Sequence, residues 1–250
     1  SRCEFYLKSQ QWEAGLADCE MALSLGQEFR EEIEALIAEA RQHIATPTET
    51  HREIACAFLD RGVHVLVEKP IAASVDEGCR LIELAESLKR KLMVGHIFLF
   101  NSGIEKVKFY VTLGELGQIH YLYAHRTNLG PVRADVNALW DLATHDIAIF
   151  NYLLDQTPLW VSAVGSKVLH SSHEDVGFIV LGYPNGVLGQ IHASWVDPHK
   201  VRELVVVGSN QRIAFNDLDP VQKVSVFEKG IGFVPHEPAS FGEYELSIRD

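Results

Sequence analysis

Val63-His64-Val65-Leu66-Val67-Glu68-Lys69-Pro70 is the stretch that decides the fold. A short apolar run that ends on charges and a proline, which has no amide to give a sheet ladder, reads as a buried strand reaching its carboxyl end. Upstream, Ile44-Ala45-Thr46-Pro47 has the same strand-then-proline character, and Ile54, Ala57 and Phe58 line a helix that stops at Gly62. Downstream, Ser74-Val75-Asp76-Glu77 is a capping box, whose Ser and Glu side chains satisfy the free amides of a helix start. Leu81, Ile82, Ala85 and Leu88 are expected on that helix's inner face, and Leu92-Met93-Val94 forms the next short strand. Strands alternating with helices of a dozen residues imply a parallel sheet with right-handed crossovers, so residues 44–96 read as half of a doubly wound domain.

Beyond that half the periodicity changes. After a helix near residues 104–116, β patterns are readable at 120–125, 160–168, 176–182, 187–196, 203–207, 212–215 and 223–227, interrupted by one helix over 138–154. Pro184-Asn185-Gly186 and Gly208-Ser209-Asn210 supply the turns of an antiparallel meander. Residues 97–250 should therefore form an open, mostly antiparallel sheet with helices on one face, and the tail after Gly230 should run over the surface. In the other direction, residues 1–43 carry 4 basic and 9 acidic side chains, no proline, and an apolar helical stripe at Phe29, Ile33, Leu36, Ile37 and Ala40. Within them the segment 6–25, with Trp12 before a second helix and Ala22-Leu23 near its end, resembles a tetratricopeptide repeat. Gly15 and Gln27 stand where that family prefers alanine and proline, and a helical hairpin packed on the next domain is the alternative reading. The fold class is thus α/β plus α+β: a helical segment (1–43), a partial parallel-sheet domain (44–96) and a larger sheet domain (97–250).

Composition narrows the function. Among 250 residues, 47% are hydrophobic and 22% charged, which suits a globular core and excludes a disordered chain. The net charge of −12 repels phosphate backbones and acidic membrane surfaces, so neither nucleic acid nor a membrane is an expected partner. The densest basic cluster, Lys89-Arg90-Lys91, is three residues long and ends a helix, where cations suit the dipole. Cys3, Cys19, Cys56 and Cys79 form no Cys-x-x-Cys pair and are expected as buried free thiols. Ser1-Arg2-Cys3-Glu4 does not open like a secretory signal, and a reducing cytoplasm is the expected setting.

Three separated groups carry chemistry. Lys69 and His96 stand at carboxyl ends of parallel strands, where open α/β sheets bind their ligands. Asp141 and His145 lie four apart on one helix face, inside the largely apolar Trp140-Asp141-Leu142-Ala143-Thr144-His145-Asp146-Ile147, where an unpaired charge would be costly to bury. Such a pair is often a surface or capping pair, and Lys69 alone can be a solvated strand end. If they converge, the imidazole can take a proton from a substrate hydroxyl near its reference pKa of about 6.5, the ammonium can steady the alkoxide, and the carboxylate can hold the substrate. The stretch His170-Ser171-Ser172-His173-Glu174-Asp175 has metal-ligand residue types but reads as a polar turn, and no metal site is expected.

Ala45-Thr46-Pro47 with His51, Glu68-Lys69-Pro70, Met93-Val94-Gly95-His96, Gly114-Glu115-Leu116-Gly117-Gln118-Ile119 and Asp141-x-x-x-His145 occur in an order and spacing that resemble the Gfo/Idh/MocA oxidoreductases. Val136-Asn137-Ala138-Leu139-Trp140-Asp141 and Ser194-Trp195-Val196-Asp197-Pro198 look most like the branch that acts on nucleotide-linked or related sugars. The resemblance implies a Rossmann-like domain over 44–96 and an NAD- or NADP-dependent conversion of a sugar hydroxyl. It also implies roles: Lys69, Asp141 and His145 as the catalytic set, and Thr46, Pro47, Glu68 and Lys69 along the nicotinamide side of the cofactor, with a cis Lys69-Pro70 bond aiming the lysine. His96, Trp195 and Lys200 would touch the substrate. A homo-oligomer built on the large sheet is implied too, and the N-terminal helices could meet a protein partner. No Gly-x-Gly-x-x-Gly turn occurs in the sequence, so an impaired enzyme, a fused or truncated reading frame, and a catalytically silent binding or assembly protein all remain open.

Overall fold

The computed structural model describes residues 47–169 and 172–228. The expectations for the helical segment 1–43, the strand over 44–46 with Thr46, Cys3 and Cys19, His170-Ser171 and the tail after Gly230 lie outside the described residues.

Helix α1 (Thr48–Leu59) buries Thr48, His51, Ala55 and Leu59 on one side, and Gly62 at φ 80° turns the chain into β1 (Val65–Glu68). Helix α2 (Val75–Ser87) makes half of its capping box: the Ser74 hydroxyl accepts from the Glu77 amide at 3.3 Å. Glu77 does not reciprocate, because Arg52 draws its carboxylate away at 3.3 Å. Leu81 and Ala85 face inward as expected, whereas Ile82 and Leu88 are exposed. At 3.6 residues per turn, residue 82 is rotated off the stripe that 81 and 85 share, and Leu88 caps the helix beyond its last packed turn. Cys56 is half-buried against the small core of Ala55, Leu59, Val65, Val67, Leu81 and Ala85; Cys79 is exposed, contrary to expectation. Strand β2 (Leu92–Gly95) pairs with β1 in parallel, from Val65 opposite Leu92 to Glu68 opposite Gly95.

A tight turn (Ile97–Phe100) leads to α3 (Ser102–Leu113), which starts with the Asn101 side-chain Oδ1 accepting the Gly103 amide and ends at left-handed Gly114. Then follow β3 (Ile119–Leu129), a π-helical turn (Leu139–Ala143), α4 (Thr144–Leu154), β4 (Trp160–Ser166), β5 (Val176–Gly182), β6 (Leu188–Ser194), β7 (Val196–Gly208), β8 (Arg212–Asn216) and β9 (Val224–Phe227). Strands β3 to β9 form one sheet in the order β4-β5-β6-β3-β7-β8-β9, antiparallel except for the β3–β6 pair. Strand β7 extends well before residue 203, because β3 supplies partners as far as Val196; the polar segment around Pro198-His199-Lys200 hides this from hydropathy. Helices α3 and α4 cover one face, and Ile104, Val107, Leu122, Ile149, Phe150, Ile191, Leu204 and Ile213 form the core between. Close approach fixes Gly208, where a Cβ would lie 2.2 Å from the Leu116 carbonyl oxygen, an immovable backbone atom.

Candidate active site

The β1–β2 register places Lys69 and His96 side by side, each one residue past the last paired position, Glu68 opposite Gly95. The Glu68 carboxylate folds over Gly95, where a Cβ would stand 3.2 Å from Oε2. The Lys69-Pro70 bond is cis, and His51 Nδ1 of α1 lies 2.9 Å from the Pro70 carbonyl oxygen. Lys69 Nζ donates to Asp141 twice, to Oδ1 at 2.9 Å and to the main-chain oxygen at 3.0 Å. Nearby, Trp140 Nε1 donates to the Ala72 carbonyl at 3.0 Å. The π-helical turn is thereby docked on the loop that follows β1. With five residues spanned per hydrogen bond instead of four, that turn lets Asp141 face the lysine rather than repeat the α spacing to His145.

The carboxylate of Asp141, expected as the companion of His145, is engaged by cations. Asp141 Oδ1 serves two cations, Lys69 and Arg133, the latter donating from Nη1 at 3.2 Å. Arg133 also donates to Thr48 Oγ1 at 2.8 Å and pairs with Asp135, whose carboxyl is held down at about 2 chiefly by that guanidinium. Asp135 Oδ2 in turn accepts the Thr48 amide at 3.2 Å, so the start of α1, just after Pro47, is capped from the second domain. Arg133 and Asp135 were not foreseen; the only sequence signal was a charged Arg-x-Asp in the Gly130-Pro131 loop ahead of an apolar helix.

His145, the second residue of α4, is 8% exposed, and none of the described residues hydrogen-bonds its Nδ1. Burial pushes its pKa well below 6.5, and the positive charges of Arg126 and Lys69, with His96 and Arg202, push the same way. His96 is lowered by burial and by Lys69. Both rings thus sit within the field of one ammonium, which with burial disfavours their protonated forms. A folded pKa below the unfolded one means that the unfolded chain binds protons first as pH falls, so stability is lost from about pH 6.5 downward. Thermal unfolding between pH 7.5 and 5 should show a falling midpoint that His145→Gln makes shallower.

Trp195 and Lys200 are the two remaining expected substrate contacts. Trp195 is 2% exposed, with its amide donating to the Asp175 carbonyl at 2.9 Å, an enclosed packing position. Lys200 is exposed on β7, and none of the hydrogen bonds around Lys69 reaches it. In the histidine-rich stretch, Asp175 accepts the Val168 and Leu169 amides at 2.9 and 2.7 Å, and Glu174 accepts from Asn137 at 3.2 Å. Among the described residues no cluster of three or more His, Cys, Asp or Glu is arranged to hold a metal, and no helix is long and apolar enough to cross a membrane.

A parallel strand pair that ends in Lys69 and His96, beside a large, mostly antiparallel sheet, makes this a mixed α/β protein with a Rossmann-like parallel sheet. The family described as "Oxidoreductase family, NAD-binding Rossmann fold" matches residues 14–96, starting inside the stretch read above as a helical segment, and "GFO/IDH/MocA C-terminal domain" matches residues 104–214. The chain belongs to the Gfo/Idh/MocA oxidoreductase family. It is 28% identical over 221 residues to UDP-N-acetylglucosamine 3-dehydrogenase of Acidithiobacillus ferrooxidans, covering 87% of this chain and 68% of that one. Over 151 residues it is 30% identical to inositol 2-dehydrogenase 2 of Saccharopolyspora erythraea, covering 58% of this chain and 44% of the relative. An inositol dehydrogenase homolog from Azotobacter vinelandii, crystallised with NADH and myo-inositol, superposes with a TM-score of 0.66 at 25% identity, over 79% of this chain and 60% of that one. The WlbA dehydrogenase from Bordetella pertussis, crystallised with NADH and UDP-GlcNAcA, shares the fold at a TM-score of 0.67 and 19% identity, over 74% and 61% of the two chains. The chain thus spans about half to two thirds of the length of these relatives.

Proposed function

We propose that this chain carries the reacting end of an NAD(P)-dependent dehydrogenase that acts on a sugar or nucleotide-sugar hydroxyl by base-assisted hydride transfer. One observation carries the reading: Lys69, at the carboxyl end of a parallel strand, is held at 2.9 Å by Asp141, four residues before the buried His145, whose Nδ1 has no partner among the described residues. His145 takes the hydroxyl proton as the carbinol carbon becomes a carbonyl, and Lys69 orients and stabilises the oxygen while its charge builds. Asp141 fixes the ammonium and Arg133 fixes Asp141. A bound nicotinamide supplies the acceptor for the hydride that leaves the same carbon. The donor set fits that group: the unpartnered Nδ1 atoms of His96 and His145 and the lysine suit a hydroxyl and a carboxamide, and Pro47, Glu68 and Lys69 would hold the nicotinamide side of the cofactor. The relatives named for UDP-N-acetylglucosamine and inositol support a ring alcohol as substrate.

The sheet face opposite the helices supports a homo-oligomer. Across the strands, the register runs Trp160, Gly182, Leu188, Tyr121, Val207, Arg212 and Phe227, and four of these are large exposed apolar side chains. The free thiols of Cys56 and Cys79 suit a reducing cytoplasm. A second reading, a silent binding or assembly protein, draws on that same face.

Fluorescence titration with NADH and NADPH separates the two. Micromolar binding, with NAD(P)+ reduction at 340 nm on UDP-N-acetylglucosamine or myo-inositol, supports the dehydrogenase. Binding only at millimolar levels, with no turnover, favours the silent protein.

A further inference from the structure

We infer that Phe98 is a positioning residue for His145: its ring, held by Arg126 on an anchor at Asp146, sets the attitude of the imidazole. This rests on the reading of His145 as the proton acceptor and deepens it. Phe98 belongs to the tight turn right after β2, two residues past His96. Its ring meets the His145 ring edge to face, 5.0 Å between centroids at 68°. The Arg126 guanidinium stands over the same phenyl ring, 4.4 Å from its centroid. Arg126 comes from the middle of β3 and cannot slide, because its fork binds Asp146 twice, Nε to Oδ2 at 2.9 Å and Nη2 to Oδ1 at 2.7 Å. Asp146 is the residue after His145, and the two partners are buried to 8% and 3% side-chain exposure. The contacts therefore close a loop: His145 to Phe98, Phe98 to Arg126, Arg126 to Asp146, and back along the main chain to His145.

An imidazole whose Nδ1 has no hydrogen bond to hold it needs another restraint, and this loop is the restraint the structure provides. Aromatic pairs and cation–π contacts prefer defined geometry, so the phenyl ring restrains direction as well as volume. The same loop sets the charge around the ring. Facing His145 are Lys69 from the end of β1, His96 from the end of β2, Arg126 from β3 and Arg202 from β7, with Asp146 next to it on its own helix. Of these, Arg126 lowers the imidazole's proton affinity most after burial itself. Arg126 thus acts on His145 both as a charge and, through Phe98, as a clamp.

The test combines NMR titration of the His145 ring in the full-length protein with steady-state kinetics as a function of pH. Phe98→Leu removes the ring and strands no charge; kcat should fall about tenfold with KM within twofold, and the His145 ring should begin to titrate closer to pH 6.5. The paired variant Arg126→Gln with Asp146→Asn removes both charges together and should move the ring titration upward. Arg126→Lys keeps the charge and should leave the titration near the wild-type position. Wild-type kcat and an unmoved titration in folded Phe98→Leu would overturn the inference. If the paired variant fails to fold, Phe98→Leu and Arg126→Lys decide alone. The ring titration needs no turnover, so a protein that proves inactive would sink the dehydrogenase reading while the coupling of Phe98 to His145 is still judged from the NMR.

Discussion

Replacing His145 with alanine is expected to cut turnover at pH 7.5 by on the order of 100-fold or more, the usual contribution of a positioned general base. On the proposed mechanism the loss falls on kcat, because the imidazole acts as the carbinol proton departs, whereas Lys69, held by Asp141, still orients the hydroxyl. In the wild-type enzyme the acid limb of the pH profile should lie well below 6.5, since burial and the surrounding cations keep the ring neutral. In His145→Ala that limb should vanish along with the rate. Steady-state rates from pH 5 to 8, with a thermal melt to confirm folding, check both points. Wild-type-like turnover in folded His145→Ala would remove the imidazole from the mechanism.

The second large effect is on stability. Asp146→Ala should destabilise the folded chain by about 3–5 kcal/mol, because truncation leaves the Arg126 guanidinium buried without its carboxylate. For a domain of this size that is a fall in Tm on the order of 10 °C. Asp146→Asn, which keeps an acceptor for one arm of the fork, should lose less. The contrast lies on the surface: Arg52 and Glu77 meet at 3.3 Å with side chains 44% and 29% exposed, so Arg52→Ala should change stability by less than about 1 kcal/mol. Equal, small losses at both sites would show that the buried pair does not hold α4 to the sheet.

How far the sequence alone could be read depended on distance along the chain. Strand β1 and the Glu68-Lys69-Pro70 end were visible because a buried parallel strand writes itself as consecutive apolar residues. The antiparallel runs β4-β5-β6 and β7-β8-β9 were visible because a half-covered sheet alternates and its turns need Gly and Asn, whereas the insertion of β3 between them has no local signal. Lys69, Asp141 and His145 could be nominated from their types and positions, but not their pairing. A one-turn π segment at Leu139–Ala143 has no periodic signature, and it is what sends Asp141 to Lys69. Arg133 was invisible for another reason: it joins Thr48 from 85 residues away, and no local pattern encodes such a contact. Asp146 gave a partial signal as a second carboxylate in an apolar helix, whose partner had to be a cation from elsewhere. Phe98 looked like one more apolar residue after a strand. Cys79 shows the converse: a residue type that is usually buried faces outward, because α2 turns only its Leu81–Ala85 side to the small core.

The most direct test of the assembled site is a crystal structure of the protein grown with NADH and a sugar or nucleotide-sugar ligand at saturating concentration. The predicted result is density for a nicotinamide beside Pro47 and Lys69, with one ring hydroxyl of the sugar within hydrogen-bond reach of both Lys69 Nζ and the His145 imidazole. Density for the sugar on another face, or neither ligand bound with Lys69 and His145 still in place, would contradict it.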